Sequence, residues 1–276
     1  MRILLAGAGG QLGRALVPEL RAHEVVALTH AQLDITDANA VSEAVNAHRP
    51  DLVLNAAAYN AVDRAETDRE AAFRVNALGP RLLAEVADRA GAAVLHVSTD
   101  YVFDGEKGSP YDEHDEPHPL SVYGESKLAG ERAVREANPR HHIVRTAWVY
   151  AHGGKNFPLT ILELAKKGPV RVVDDQRGSP TFAPHLATAI ARLIGIRSFG
   201  TWHLAGAGEA SWYELTRELF RLRGLETAVT PVTTAEFPRP ARRPRRASLV
   251  SARQEPSLVL PHWTDGLREF AAGPRS

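Results

Sequence analysis

The chain opens with a short apolar run, Ile3 to Ala6, that passes directly into Gly7-Ala8-Gly9-Gly10-Gln11-Leu12-Gly13 and then into an amphipathic pattern. Glycines at this spacing allow a tight turn, let the backbone approach a diphosphate, and let the following helix pack closely on the preceding strand. The helix N-terminus adds amide donors and the positive end of a dipole. A flexible turn could use the same residues. Their place at the first strand–helix junction favours a dinucleotide-binding turn, with Gly7, Gly10, Gln11, Leu12 and Gly13 as cofactor-contacting positions.

The rest of the first half keeps the alternation that such a turn demands. Val25 to Leu28, Leu52 to Asn55, Ala92 to Val97 and His142 to Thr146 read as further strands. Gln11 to Arg21, Asp37 to His48, Asn76 to Ala90 and Tyr123 to Ala137 read as helices, and Asp37 offers an N-cap oxygen to the second. This is an α/β, Rossmann-type doubly wound parallel sheet, whose crevice lies off the carboxyl ends of the strands. After Tyr150 the rhythm loosens. Helices are predicted over Phe157 to Lys167, Pro184 to Ile194 and Ser211 to Arg223, and short strands near Val170 to Val173 and Thr201 to Leu204. The expected organisation is a dinucleotide-binding domain over 1–150 and a smaller C-terminal substrate-binding lobe over 151–276, with excursions back to the sheet. Phe237 to Arg246, rich in Pro and Arg, reads as an extended surface loop.

Composition narrows the chemistry. Thirty-three basic and 33 acidic residues cancel, so no global field draws the molecule to nucleic acid or an anionic membrane. The one dense basic run, Arg239, Arg242, Arg243, Arg245 and Arg246, has no aromatic interleaving for nucleic-acid binding; Arg243 is its best candidate for a nucleotide diphosphate. There is no cysteine, which removes thiolate metal sites and cysteine nucleophiles. No apolar stretch suits a signal peptide or a membrane span, and the expected location is cytoplasmic. His114 and His118 sit in an acidic Pro-bearing loop that reads as solvated, and His141-His142 reads as packing.

Two further features carry chemistry. Tyr123-Gly124-Glu125-Ser126-Lys127 begins a helical stretch, and a spacing of four puts Tyr123 and Lys127 on one face. A phenol holds its proton too tightly for exchange near neutrality, so a neighbouring ammonium would correct it and make the pair a usable acid or base. Ser98-Thr99-Asp100 ends the fourth strand at the crevice edge, where the Thr99 hydroxyl can orient a carbonyl beside Tyr123. At the end of the second strand stand Thr29 and His30, with no acid to chelate a ribose diol or repel a 2′-phosphate. The expected cofactor is therefore NADPH, with NADH possible and Arg14 a candidate phosphate partner. Asp34 and Ile35 are candidates for the adenine.

With these residues in hand, the chain resembles the extended short-chain dehydrogenase/reductase family along nearly its whole length. The resemblance runs through GAGGQLG, Asn55-Ala56-Ala57-Ala58-Tyr59-Asn60-Ala61-Val62-Asp63, Ser98 to Gly105, YGESKLAGE, Arg145 to Tyr150, Asn156-Phe157, Asp175 to Thr181 and Arg243-Pro244. It implies hydride delivery to C4 of dTDP-4-dehydro-L-rhamnose, giving dTDP-L-rhamnose, while Tyr123 protonates the developing alkoxide. Lys127 would lower the Tyr123 pKa and hold the nicotinamide ribose, and Thr99 would be the third catalytic residue. Gly10, Gln11, Leu12, Asp34, Ile35, Ala58, Tyr59 and Asn60 would line the cofactor. Thr99, Asp100, Tyr101, Trp148, Asn156 and Arg243 would meet the nucleotide-sugar substrate. Ala56 and Ala57 suit either room for a cofactor or tight core packing.

Some members of the family form metal-bridged dimers through glutamates, but the matching positions here hold Ala15 and Pro184. Neither ligates a cation. No metal is expected, and the expected state is a monomer or weak homodimer. Two rivals remain: a dehydratase or epimerase of the same fold, which would need an acidic residue where Tyr101 follows Thr99-Asp100, and a non-catalytic NADP-binding regulatory subunit.

Overall fold

The computed structural model describes residues 1–253 and 255–274; residues 254, 275 and 276 of the expected second lobe lie outside the described residues. The chain runs β1 (Arg2–Ala6), α1 (Gln11–Glu19), β2 (Glu24–Leu28), α2 (Ala38–His48), β3 (Leu52–Asn55), short α3 (Val62–Ala65) and α4 (Arg69–Phe73). A wide helical turn, Arg74–Leu78, then leads into α5 (Gly79–Arg89), β4 (Ala93–Thr99), α6 (Val122–Ala137) and β5 (His141–Thr146). The C-terminal part supplies β6 (Val149–Tyr150), α7 (Phe157–Ala165), β7 (Val170–Val173), β8 (Arg177–Gly178), β9 (Thr181–Phe182), α8 (Ala183–Leu193), β10 (Gly200–His203), β11 (Ala210–Ser211), α9 (Trp212–Arg223), β12 (Val229–Val232) and α10 (Trp263–Ala272).

Six strands form one parallel sheet in the order β10-β5-β4-β3-β1-β2. Alternation along β1 shows why both faces are covered. Ile3 and Leu5 join the core formed with Leu12 and Leu16 of α1 and Leu186 and Ile190 of α8, while Leu4 and Ala6 join that formed with Val41 and Val45 of α2 and Leu83 of α5. A third core, with Tyr150, Ile161, Phe182, Leu219 and Phe270, holds the smaller C-terminal elements. The excursion back to the sheet is made by α8 and β10, which places β10 beside β5 as an edge strand.

Boundaries follow local chemistry. Asp37 caps α2, its Oδ1 accepting from the Asn39 and Ala40 amides at 2.8 and 3.1 Å. The helix predicted to start at Asn76 is already helical from Arg69 and becomes regular again at Gly79, after the wide turn Arg74–Leu78 that carries Asn76. The Asn76 Oδ1 accepts from the Tyr59 amide and its Nδ2 donates to the Tyr59 carbonyl and to Ser126 Oγ. The segment 237–246 has no regular structure, as predicted, but it is not a free surface loop. Ala241 is buried, Arg243 pairs with Asp63, Arg246 pairs with Glu209, and the Arg177 amide donates to the Arg245 carbonyl.

Under the sheet's carboxyl end lies a buried ion pair absent from the sequence reading. Glu131 of α6 accepts from Arg145 of β5 at 2.9 and 2.7 Å and from Ser98 Oγ at 2.5 Å. Arg145→Met leaves that carboxylate buried and uncompensated, with an expected loss of about 3–5 kcal/mol in equilibrium urea unfolding. Glu131→Leu combined with Arg145→Met is expected to recover more than half of it; equal losses in the single and double variants would contradict this account of the pair.

Candidate active site

Because β2 and β3 lie on opposite sides of β1, the loops leaving β1 and β3 diverge and open a crevice at the carboxyl ends of the strands. The glycine turn fits into it by backbone contact. Gly7 adopts φ +84°, and a Cβ there would lie 2.5 Å from the Ala57 amide nitrogen; a Cβ on Gly13 would strike the Gly7 carbonyl. Helix α1 then begins at Gly10 with no side-chain cap and no acidic residue in its first turn. Its first-turn amides are open to an anion, so the turn suits the diphosphate of a dinucleotide.

One cavity of about 430 Å³ is lined by Gly10, Gln11, Leu12, Ala56, Ala58 and Asn60 on one side and by Thr99, Asp100, Tyr101, Tyr123, Lys127 and Trp148 on the other. A wider recess of about 870 Å³ is lined by Gly9, Gly10, Gln11, Arg14 and Asn60, together with Asp63, Arg64, Lys155, Asn156 and Arg243. Residues far apart in sequence thus face one another.

Tyr123 stands in the first turn of α6, which Ser121 caps by accepting from the Gly124 amide. Its ring meets Tyr101 edge-on at 5.4 Å, and Thr99, which lines the same cavity, donates its hydroxyl to Asp100 Oδ1 at 2.9 Å. Burial pushes the phenol well above its ordinary range, with Thr99 opposing and Asp100 and Tyr101 reinforcing. The free enzyme therefore holds Tyr123 as a neutral acid. Asp100 is buried and pushed up to about 7 by desolvation, its Oδ2 without a hydrogen-bond partner among the described residues.

Lys127 corrects the sequence reading. It shares the helix face with Tyr123, but its Nζ donates to the Val97 carbonyl at 2.7 Å and contacts His96 Nε2 at 3.3 Å. Helical spacing sets the face; the atoms of β4 beneath it set where the long side chain ends. Burial lowers Lys127 to about 8, with Glu131 opposing.

Other expected positions divide. Ile35 is buried in the core against α2 and α5, so its side chain does not line the crevice. Asp34 accepts from the Thr36 amide and hydroxyl, which lowers its pKa. The Tyr59 hydroxyl donates to Asp68, away from the two cavities. Asn156 lies at the recess, but its amide caps α7 and donates to Gln11 Oε1 at 2.8 Å, which makes it a brace for the glycine turn. Arg243 also reaches the recess, with its fork on Asp63 at 2.9 and 3.0 Å. His114 and His118 are exposed, and His142 accepts from Trp202 Nε1 inside the fold.

Sequence reasoning named Trp148 for the substrate but missed its stacking partner Trp212. Trp148, held at φ +46°, stacks on Trp212 with centroids 3.4 Å apart and planes 4° from parallel, and both line the cavity. Lys155 was missed as well; its position as one of only five lysines was the available signal.

Residues 1–275 match the family described as the RmlD substrate binding domain. The chain belongs to this family. It is 45% identical over 280 residues to dTDP-4-dehydrorhamnose reductase of Streptomyces griseus, covering 97% of this chain and 92% of that one. Among solved structures, the Clostridium acetobutylicum dTDP-4-dehydrorhamnose reductase is 42% identical, with a TM-score of 0.95 over 99% of both chains. The Bacillus anthracis dTDP-4-dehydrorhamnose reductase, solved in complex with NADP, is 38% identical with a TM-score of 0.95 over 98% of each chain. The Rossmann-type α/β architecture of this chain is thus that of the family.

The Asp100 environment has a measurable consequence. Its carboxyl binds a proton more tightly folded than unfolded, so below the ordinary value of 3.8 it contributes nothing. Stability is lost as pH rises from there to about 7, and the loss is complete above 7. Asp100→Asn is expected to be more stable than the parent at pH 8, on the order of 2 kcal/mol by chemical denaturation, with the difference gone near pH 3.5. A constant difference across that range would contradict the assignment.

Proposed function

We infer that this protein reduces the C4 keto group of dTDP-4-dehydro-L-rhamnose to dTDP-L-rhamnose with NADPH as hydride donor. The observation that carries the reading is the Tyr123 phenol beside Thr99 in a crevice walled on its other side by the glycine turn. NADPH supplies the hydride when bound; the chain's residues supply everything else. The open first-turn amides of α1 hold the diphosphate, and the end of β2, with Thr29 and His30 and no acid, accommodates a 2′-phosphate and leaves NADH usable.

Tyr123 gives its proton to the sugar O4 as negative charge develops there, and Thr99 orients the carbonyl beside it. Lys127 holds the nicotinamide ribose. Asp100 and Tyr101 meet the sugar, Trp148 on its Trp212 backing forms the pocket wall, and Arg243 and Lys155 stand by the nucleotide diphosphate. Gly7 and Gly13 keep the turn close to the sheet, and Gly10, Gln11, Leu12, Ala58 and Asn60 line the cofactor. Asp34, Ile35 and Tyr59 contribute through backbone and packing. The chain works as a cytoplasmic monomer or weak homodimer, with residues 1–150 as the cofactor domain and 151–276 as the substrate lobe. Partly buried Tyr101, packed on Tyr123, stands where a dehydratase would need an acid.

Purified enzyme is expected to oxidise one NADPH per 4-keto sugar, followed at the nicotinamide absorbance band; a dehydratase or epimerase would show no net oxidation. Tyr123→Phe should lower kcat by about 10²- to 10⁴-fold while leaving the NADPH Kd unchanged, and Lys127→Ala should weaken both. Undiminished turnover in Tyr123→Phe would remove the proton-donor assignment.

A further inference from the structure

Beneath Lys127 lies a hydrogen-bonded series whose polarity is set by the backbone. The Ala57 amide donates to Asn55 Oδ1 at 3.0 Å. A backbone N–H can only donate, so the Asn55 amide is oriented with Nδ2 toward His96 Nδ1, 3.1 Å away. Nδ1 must therefore accept, and the ring's hydrogen sits on Nε2, which faces Lys127 Nζ at 3.3 Å. Turning the Asn55 amide over would set two donors against each other at Ala57. Asn55 and His96 are 1% and 0% exposed, so water does not offer an alternative.

An N–H pointed at a lysine nitrogen is a hydrogen bond only if that nitrogen has a lone pair. Against an ammonium it is a repulsion. The groups around Lys127 offer the charged form little else. On its own helix, Tyr123 presents a phenol, and the charge of Glu131, which favours the ammonium, is shared with Arg145 of β5 and Ser98 of β4. What remains is the single Val97 carbonyl, and Lys127 is 2% exposed.

We propose that Asn55 and His96 are positioning residues for Lys127: they present it with a donor that favours its uncharged amine in the cofactor-free enzyme, so that binding of the anionic dinucleotide draws a proton from solvent onto Lys127. The proposal rests on the assignment of Lys127 to the cofactor site. The lowering of Lys127 to about 8 by burial points the same way. The dinucleotide adds negative charge to that of Glu131, which Arg145 already shares. Above that pH, cofactor binding and proton uptake are one event, and affinity declines as pH rises.

The test uses the cofactor-free protein with ¹³Cε-labelled lysine. With only five lysines, the Lys127 signal is assigned by its loss in Lys127→Met. Its midpoint is expected near 8, below the ordinary lysine value of about 10. His96→Gln can turn an oxygen toward the ammonium and should raise the Lys127 midpoint by about one unit, a tenfold change in proton affinity. The same change should reduce the proton uptake on NADPH binding at pH 8.5, read by calorimetry in two buffers of different ionisation enthalpy. A purely structural role for His96 would alter stability and leave the Lys127 titration in place.

Titration of Lys127 at the ordinary lysine value, or an unmoved midpoint in folded His96→Gln, would overturn the proposal. If His96→Gln does not fold, the parent's titration and its proton uptake decide by themselves. Neither readout involves the sugar, so a failure of the reductase reading leaves this result standing, and the reverse also holds.

Discussion

The whole site hangs on one backbone-to-backbone contact, between the turn after β1 and the first residues after β3. Gly7 lies where a side chain would occupy the Ala57 amide, and Gly13 lies where one would occupy the Gly7 carbonyl. That closeness seats α1 with its uncapped end at the crevice. It also carries the chain from Asn55 through Ala58 along the opposite wall. Everything chemical is then brought to this gap by elements anchored in the same sheet: Thr99 and Asp100 from the end of β4, Tyr123 and Lys127 from the start of α6, and Trp148 from beyond β5.

Within that frame the proton chemistry is set by burial more than by charge pairing. Tyr123 and Asp100 are both desolvated, and desolvation keeps both toward their neutral forms. Lys127 is desolvated too, which for a base works against its charge. The three groups therefore lean toward neutrality in the free protein. Charge is brought to the site by what binds there: phosphates on one side and a developing alkoxide on the other. Preorganised donors act most strongly where water is excluded.

Much of this was legible before the structure. The apolar runs, the glycine turn and the Tyr123–Lys127 spacing each follow from a period or a local backbone demand, and they placed five strands of the main sheet and both walls of the cavity. What the sequence hid depends on partners distant along the chain. The Trp148–Trp212 stack joins residues 64 positions apart, and Arg243 meets Asp63 across 180. The end point of Lys127 is decided by His96 and Val97 on a different strand, which no helical spacing reports. Ile35 read as a cofactor residue because it follows a polar return to the crevice, yet apolar side chains at such a return pack inward when a core is within reach. Short α3 and α4 carry too few residues to show a period.

The central claim is that a hydride crosses this gap to C4 of a nucleotide-linked keto sugar while the phenol of Tyr123 protonates O4. The most direct measurement is transfer of label from NADPH carrying deuterium at nicotinamide C4, with the product examined by mass spectrometry and NMR. The account predicts one deuterium at sugar C4 for each NADP⁺ formed. Product without deuterium at that carbon, or a rearranged sugar with the labelled cofactor unconsumed, would contradict it.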